Sequence, residues 1–96
     1  PTLYASQGYD AARLLGSALK QVDGDVSNPD TLRDAIRKAD FATVRGKFAF
    51  SANQHPVQDI YIREVIKDAD GNYTNKTLKA VFSDHSNVYV EQCKMD

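Results

Sequence analysis

Gly46-Lys47-Phe48-Ala49-Phe50-Ser51-Ala52-Asn53-Gln54-His55-Pro56-Val57-Gln58-Asp59-Ile60-Tyr61-Ile62-Arg63-Glu64-Val65-Ile66-Lys67 decides how this chain is read. Phe48 and Phe50 alternate with Lys47 and Ala49, the period of a half-buried strand over Lys47–Ser51. Ile60, Tyr61, Ile62, Val65 and Ile66 make a second run, Asp59–Lys67, with apolar side chains on both faces. Such a strand is covered on both sides, or crosses between two bodies. The link Ala52–Gln58 is polar and holds no glycine. Its Pro56 biases His55 toward extended backbone and withholds one ladder hydrogen bond.

Two helical patterns precede this stretch. Leu3, Tyr4, Ala11, Leu14, Leu15, Ala18, Leu19 and Val22 fall near an i, i+3, i+4, i+7 stripe, which predicts a helix over Leu3–Val22. Ser6 or Asp10 would cap a later start, and Gly16 allows close packing against a neighbour. Asp23-Gly24-Asp25 ends the helix. Asn28-Pro29-Asp30 then opens a second one: an N-cap, a proline at the first helical position and an acid at the positive end of the dipole. Leu32, Ala35, Ile36 and Ala39 supply its apolar stripe, so it should run from about Pro29 to Ala39. Beyond the central stretch, Asp68-Ala69-Asp70-Gly71-Asn72 carries a hairpin signal and Tyr73–Phe82 returns as a strand. The polar tail Ser83–Asp96 reads as either a short helix or an added strand.

The chain has 96 residues, enough for one domain at most. Its 12 basic and 13 acidic residues leave a net charge of -1, so no basic field is present to attract nucleic acid. No apolar run approaches the roughly 20 residues that span a bilayer. The start Pro-Thr-Leu-Tyr has no initiator methionine and no leader pattern, which suits a processed or truncated product. The single cysteine, Cys93, is a free thiol or one half of a disulfide whose partner lies outside this sequence.

No catalytic constellation emerges. The acidic turn at 68–72 lacks the glycine and glutamate spacing of a calcium loop. His55 and His85 have no Cys or Glu partner at ligand spacing, so no metal is expected and no cofactor is implied. Nothing near Cys93 would activate it as a nucleophile. Asn72-Tyr73-Thr74 and Asn75-Lys76-Thr77 match the glycosylation pattern but read as ordinary hairpin residues. The five tyrosines could line a ligand site, but Tyr4 and Tyr61 fall in otherwise apolar stretches, where core packing is the default reading. Asn53–Asp59 is the densest run of hydrogen-bonding side chains, either a plain surface loop or part of a site.

Three stretches together carry a family resemblance: Gln7-Gly8-Tyr9-Asp10-Ala11-Ala12, Val44-Arg45-Gly46-Lys47-Phe48-Ala49-Phe50, and His55-Pro56-Val57-Gln58-Asp59-Ile60-Tyr61. In this order they resemble the C-terminal part of type I periplasmic binding proteins, the extracytoplasmic solute receptors of ABC importers, in the branched-chain amino-acid-binding group. The Asn-x-x-Pro-x-Gln-Asp-x-Tyr flavour looks most like members that take up aromatic acids or related small carboxylates. The resemblance implies an α+β fragment of a two-lobed α/β fold: two helices, a strand, a hinge crossing and a β-hairpin. It divides the chain into residues 1–51 of one lobe, the crossing 52–60, and residues 61–96 of the other lobe.

The same resemblance implies a non-enzymatic, periplasmic protein whose partners are a small solute and the membrane subunits of an importer. It places Gln58, His55 and Asn53 at the ligand cleft and Asn53, Gln54, His55 and Pro56 in the hinge. The Ser/Thr loop, tyrosines and acidic residue that bind ligand in that group would lie in earlier chain. Helices without their parallel sheet should leave apolar stripes exposed, so the isolated piece is expected to self-associate, by exchange of the hairpin about 52–60. The reading from a different class is a self-contained interaction domain that offers a hairpin edge.

Overall fold

The computed structural model describes residues 2–93 and Met95. Helix α1 spans Leu3–Gln21 and α2 spans Pro29–Arg37; strands β1, β2 and β3 span Ala49–Phe50, Pro56–Lys67 and Tyr73–His85. The strands form one antiparallel sheet in the order β1-β2-β3. The architecture is two helices and a three-stranded sheet, the α+β arrangement expected of a partial periplasmic-binding-protein fold.

Local chemistry explains the helix ends. Thr2, rather than Ser6 or Asp10, caps α1: its side chain accepts from the Ala5 N–H at 3.3 Å. Asn28 Oδ1 accepts from the N–H groups of Asp30 and Thr31 at 3.0 and 3.3 Å, and Pro29 follows at the first helical position. Helix α2 stops two residues earlier than its apolar pattern, because Ala39 turns to a positive φ of 50°. The helices meet at small side chains, Ala18 (0% exposed) and Ala35 (4%). The Ser17 hydroxyl also donates to the Asp40 carbonyl.

Helix α1 has two apolar stripes. Asp10, Leu14, Ser17, Ala18 and Val22 form the inward one, buried or half-buried. Tyr4, Ala11, Leu15 and Leu19 form the other, and all four are exposed. A Cβ added at Gly16 would meet nothing within 4 Å, so no neighbour exploits that glycine here.

The sheet departs from the expected strand limits. Only Ala49 and Phe50 of the Lys47–Ser51 run enter a ladder, opposite Val57 and Pro56. Phe48 instead packs edge-on between Phe41 and Phe50, with ring centroids 5.3 and 5.1 Å away. Strand β2 begins at Pro56, three residues before the Asp59–Lys67 run, so the second half of the polar link is strand. Pro56 is tolerated because it stands at the first position of β2. The first half is a tight turn: Ser51 N–H donates to the His55 carbonyl at 2.8 Å and Gln54 N–H to the Ser51 carbonyl at 2.8 Å.

The β2–β3 loop closes as its Asp-Gly signal predicts. Asp68 Oδ1 accepts from Asp70 and Asn72 N–H at 3.0 and 2.9 Å, and Gly71 takes a φ of 82°. Strand β3 runs three residues past Phe82, to His85. The tail is neither helix nor strand over its described residues. It makes successive turns, with Val90 N–H to Asn87 O at 3.2 Å and Cys93 N–H to Tyr89 O at 3.1 Å. Lys94 and Asp96 lie outside the described residues. Cys93 is exposed and free.

The molecule is elongated, 51 × 33 × 16 Å with a radius of gyration of 16.5 Å. A compact chain of this length would have about 12.5 Å. Its accessible surface is 7351 Å². A compact monomer of the same mass would expose about 5,500 Å².

Candidate functional site

A groove runs between the first turns of α1 and the middle of β2, with a volume of about 530 Å³. Ser6 and Gln7 face it from the helix, and Gln58, Tyr61 and Arg63 from β2. Arg45 reaches it from the loop that joins α2 to β1.

Asp10 organises this corner. Its carboxylate is 1% exposed. Oδ1 accepts from the Val44 N–H at 2.9 Å, and Oδ2 from Arg45 Nε at 2.7 Å. A charge buried on a helix needs such partners, since unpaired burial costs several kcal/mol. Arg45, with 18% of its side chain exposed, continues the chain: Nη1 donates to Gln58 Oε1 at 3.1 Å. The guanidinium also lies over the Phe48 ring, 5.4 Å from its centroid. Asp10, Arg45 and Gln58 thus tie helix, loop and sheet together.

The loop carrying Arg45 is self-braced. Thr43 Oγ1 accepts from Arg45 N–H at 3.0 Å and donates to the Gly46 carbonyl at 2.8 Å. Gly46 has a φ of 93°, and a Cβ there would lie 3.6 Å from the Tyr61 hydroxyl. The loop therefore passes Tyr61 in a backbone conformation that side chains disfavour.

Tyr61 donates to Asp59 Oδ2 at 3.2 Å, and Asp59 Oδ1 accepts from Asp84 N–H at 3.0 Å. Loss of solvent around the phenol, followed by the neighbouring Asp59 carboxylate, raises the Tyr61 pKa above its ordinary 10.0. A raised value favours the neutral phenol in the folded state. The associated stability is present below the ordinary tyrosine range and is lost as pH climbs through the raised value. Alkaline titration followed by tyrosinate absorbance should lose a late step when Tyr61 is replaced by phenylalanine. A Tyr61→Phe curve that keeps its late portion unchanged would contradict it.

The residues expected at the cleft separate. Gln58 lines the groove. Asn53 is 4% exposed within the β1–β2 turn, where its Oδ1 accepts from the Ser51 hydroxyl. His55 is exposed, with Nδ1 3.5 Å from Asn87 Nδ2. Gln54 adopts a positive φ of 61° at the turn, and Pro56 pairs with Phe50. Sequence reasoning missed Arg45, Arg63 and the inward role of Asp10. The available signal was an aspartate on the apolar side of α1, which demands a cationic partner. Among the described residues, no group of three or more His, Cys, Asp or Glu gathers as a metal site, and no helix is long and apolar enough to cross a membrane.

A family model described as periplasmic binding protein matches residues 1–72. The chain belongs to the periplasmic binding protein family. The match covers both helices, β1, β2 and the groove residues Asp10, Arg45, Gln58, Tyr61 and Arg63, and it ends in the β2–β3 loop. Strand β3 and the tail lie beyond it. No curated protein and no solved structure matches the chain. Membership in this binding family makes solute binding, rather than bond-making chemistry, the role to look for at the groove.

Proposed function

We propose that this chain is the C-terminal part of the extracytoplasmic solute-binding component of an ABC importer, of the branched-chain amino-acid-binding group, and that it acts in the periplasm. Its solute is a branched-chain amino acid, an aromatic acid or a related small carboxylate. The observation that carries the reading is the groove at Arg45, Gln58 and Tyr61, which lies inside the family match. Gln58 touches the solute, while His55 and Asn53 flank the cleft from the β1–β2 turn.

Residues 1–51 belong to one lobe and 61–96 to the other, with 52–60 as the crossing. Asn53, Gln54, His55 and Pro56 form the hinge over which closure occurs. The helices pack on each other and β2 on β3, while the β1–β2 pairing and the Asp10–Arg45–Gln58 chain bridge the two groups. The exposed stripe of α1 is covered in the intact receptor by further chain, and the membrane subunits of the importer are its downstream partner. Alone, the 96-residue chain covers that stripe with a second copy.

Thermal unfolding of the full receptor tests the function. A carboxylate or branched-chain amino acid present at about a hundred times its Kd should raise the midpoint by roughly 3 °C or more. The absence of a shift with every solute of both classes would remove this ligand assignment. The competing reading, an interaction domain that captures a partner strand, draws on the open edge of β3, all of whose residues are exposed.

A further inference from the structure

Resting on the solute-binding reading, we propose that Arg45, held by Asp10, fixes the hydrogen-bonding polarity of Gln58, so that the groove grips the carboxylate end of its solute and rejects donor-bearing ends. A glutamine amide can present either a carbonyl or an NH₂ group, and a free one flips to suit its ligand. Here that freedom is lost. Arginine has only donors, so the Gln58 atom facing Arg45 Nη1 at 3.1 Å is Oε1. The Gln58 Nε2 amide then remains, and it has no hydrogen-bond partner among the described residues. Arg45 cannot swing away to relax the constraint, because Nε is committed to buried Asp10 at 2.7 Å.

Other groove groups agree in sign. Arg45 Nη2 has no partner among the described residues, and Arg63, which has no ion-pair partner among them, lines the same space. Asp59 is the acidic side chain lining the groove, and its charge opposes an anionic solute. Each of its oxygens accepts one hydrogen bond, from the Tyr61 hydroxyl and from the Asp84 N–H, which ties the carboxylate to its own hairpin without removing its charge. The free hydrogen-bonding capacity of Gln58 and the two arginines is therefore donor capacity. An oxygen-rich, negatively charged end satisfies it with charge-assisted bonds. An ammonium end leaves donors facing donors, and an amide end offers one uncharged acceptor where a carboxylate offers two charged ones, which costs affinity by a factor of about ten or more.

Arg45 is thus a positioning residue for Gln58, and the ratio of affinities within matched pairs reports it. Calorimetric titration of the full receptor with benzoate, benzamide and benzylamine, and with leucine and leucine amide, supplies the pairs. The wild-type receptor should prefer the carboxylate of a pair by roughly tenfold or more. Arg45→Met frees the Gln58 amide to flip, and the preference should fall to about threefold or less; Arg45→Lys, which keeps a donor at Oε1, should recover part of it. Gln58→Glu retains the Arg45 contact, and so the fold, but replaces the donor with an acceptor. It should weaken the carboxylates by roughly a hundredfold and turn the preference toward benzylamine.

A carboxylate preference unchanged in Arg45→Met, or carboxylates bound normally by Gln58→Glu, overturns the polarity lock and leaves solute binding intact. So does a wild-type receptor that binds other solutes but prefers neither carboxylate. A receptor that binds no solute in a broad thermal-shift library removes the solute-binding reading, and the polarity lock with it.

Discussion

Asp10→Ala should lower the stability of this chain by about 3 kcal/mol, read from the midpoint of urea unfolding at neutral pH. The carboxylate is 1% exposed and holds both the Val44 N–H and Arg45 Nε. Its removal orphans a backbone donor and leaves a largely buried guanidinium without its counter-charge. Truncating one partner of a buried pair costs about 3–5 kcal/mol, and the lower end applies because Arg45 retains 18% side-chain exposure. Such a loss is a large share of the roughly 5–15 kcal/mol that holds an ordinary domain together.

The double variant Asp10→Ala/Arg45→Met should be less unstable than the sum of the singles, since removing both charges leaves neither unpaired. Additive losses in that cycle, or an Asp10→Ala chain within about 0.5 kcal/mol of wild type, would show that the buried pair does not hold the loop.

In isolation, the 96-residue chain should sediment at micromolar concentration as a dimer or larger species. Its 7351 Å² of accessible surface exceeds that of a compact monomer by about 1,800 Å². A standard interface needs only about 800 Å² from each partner. The surplus is apolar where it matters: Tyr4, Leu15 and Leu19 line the open stripe of α1, while Ile62, Val65 and Phe82 stand exposed on the hairpin. Burial of these side chains provides the drive at about 25 cal/mol per Å². Exchange of the β2–β3 hairpin about residues 52–60 would bury the most, since little else packs on that hairpin. Leu15→Glu with Leu19→Glu should shift the population toward monomer if the helix stripe is the seam. A single monomeric boundary for the wild-type chain across the accessible concentration range would sink the expectation.

Much of the fold was legible because its signals are local. Asn28-Pro29-Asp30 specifies a helix start by chemistry confined to one turn, and Asp68–Asn72 does the same for the hairpin. The limits of β2 were not legible. Pro56 and Gln58 have no strand propensity of their own and enter the ladder because Phe50 and His85 stand across from them. The end of β3 moved for the same reason, with His85 paired to Gln58 rather than released into the tail.

At the groove, Gln58 draws notice from sequence because it sits in a conspicuous polar run, and the structure puts it on the groove wall. Arg45 draws none, since an arginine before a glycine reads as surface until Asp10 is known to point inward. That orientation depends on the angular difference between two apolar stripes of one helix. The periodicity of α1 merged them into one, and tertiary packing separates them.

Strand β3 has one further consequence. Its pairing with β2 slips three times, between Gln58 and Ile60, Ile60 and Tyr61, and Ile62 and Arg63, where β3 carries an additional residue. Val81 and Leu78 fall in two of the slips, and Asp84 takes a positive φ of 50° at the third. Each slip tilts the outer row of amides out of line. A new strand laid along this edge could match only short segments before losing register, so end-to-end stacking into fibrils is discouraged. Association through helix α1 or by hairpin exchange closes after a fixed number of copies, whereas growth along the β3 edge has no natural end. The irregular edge therefore biases an exposed, apolar chain toward finite assemblies.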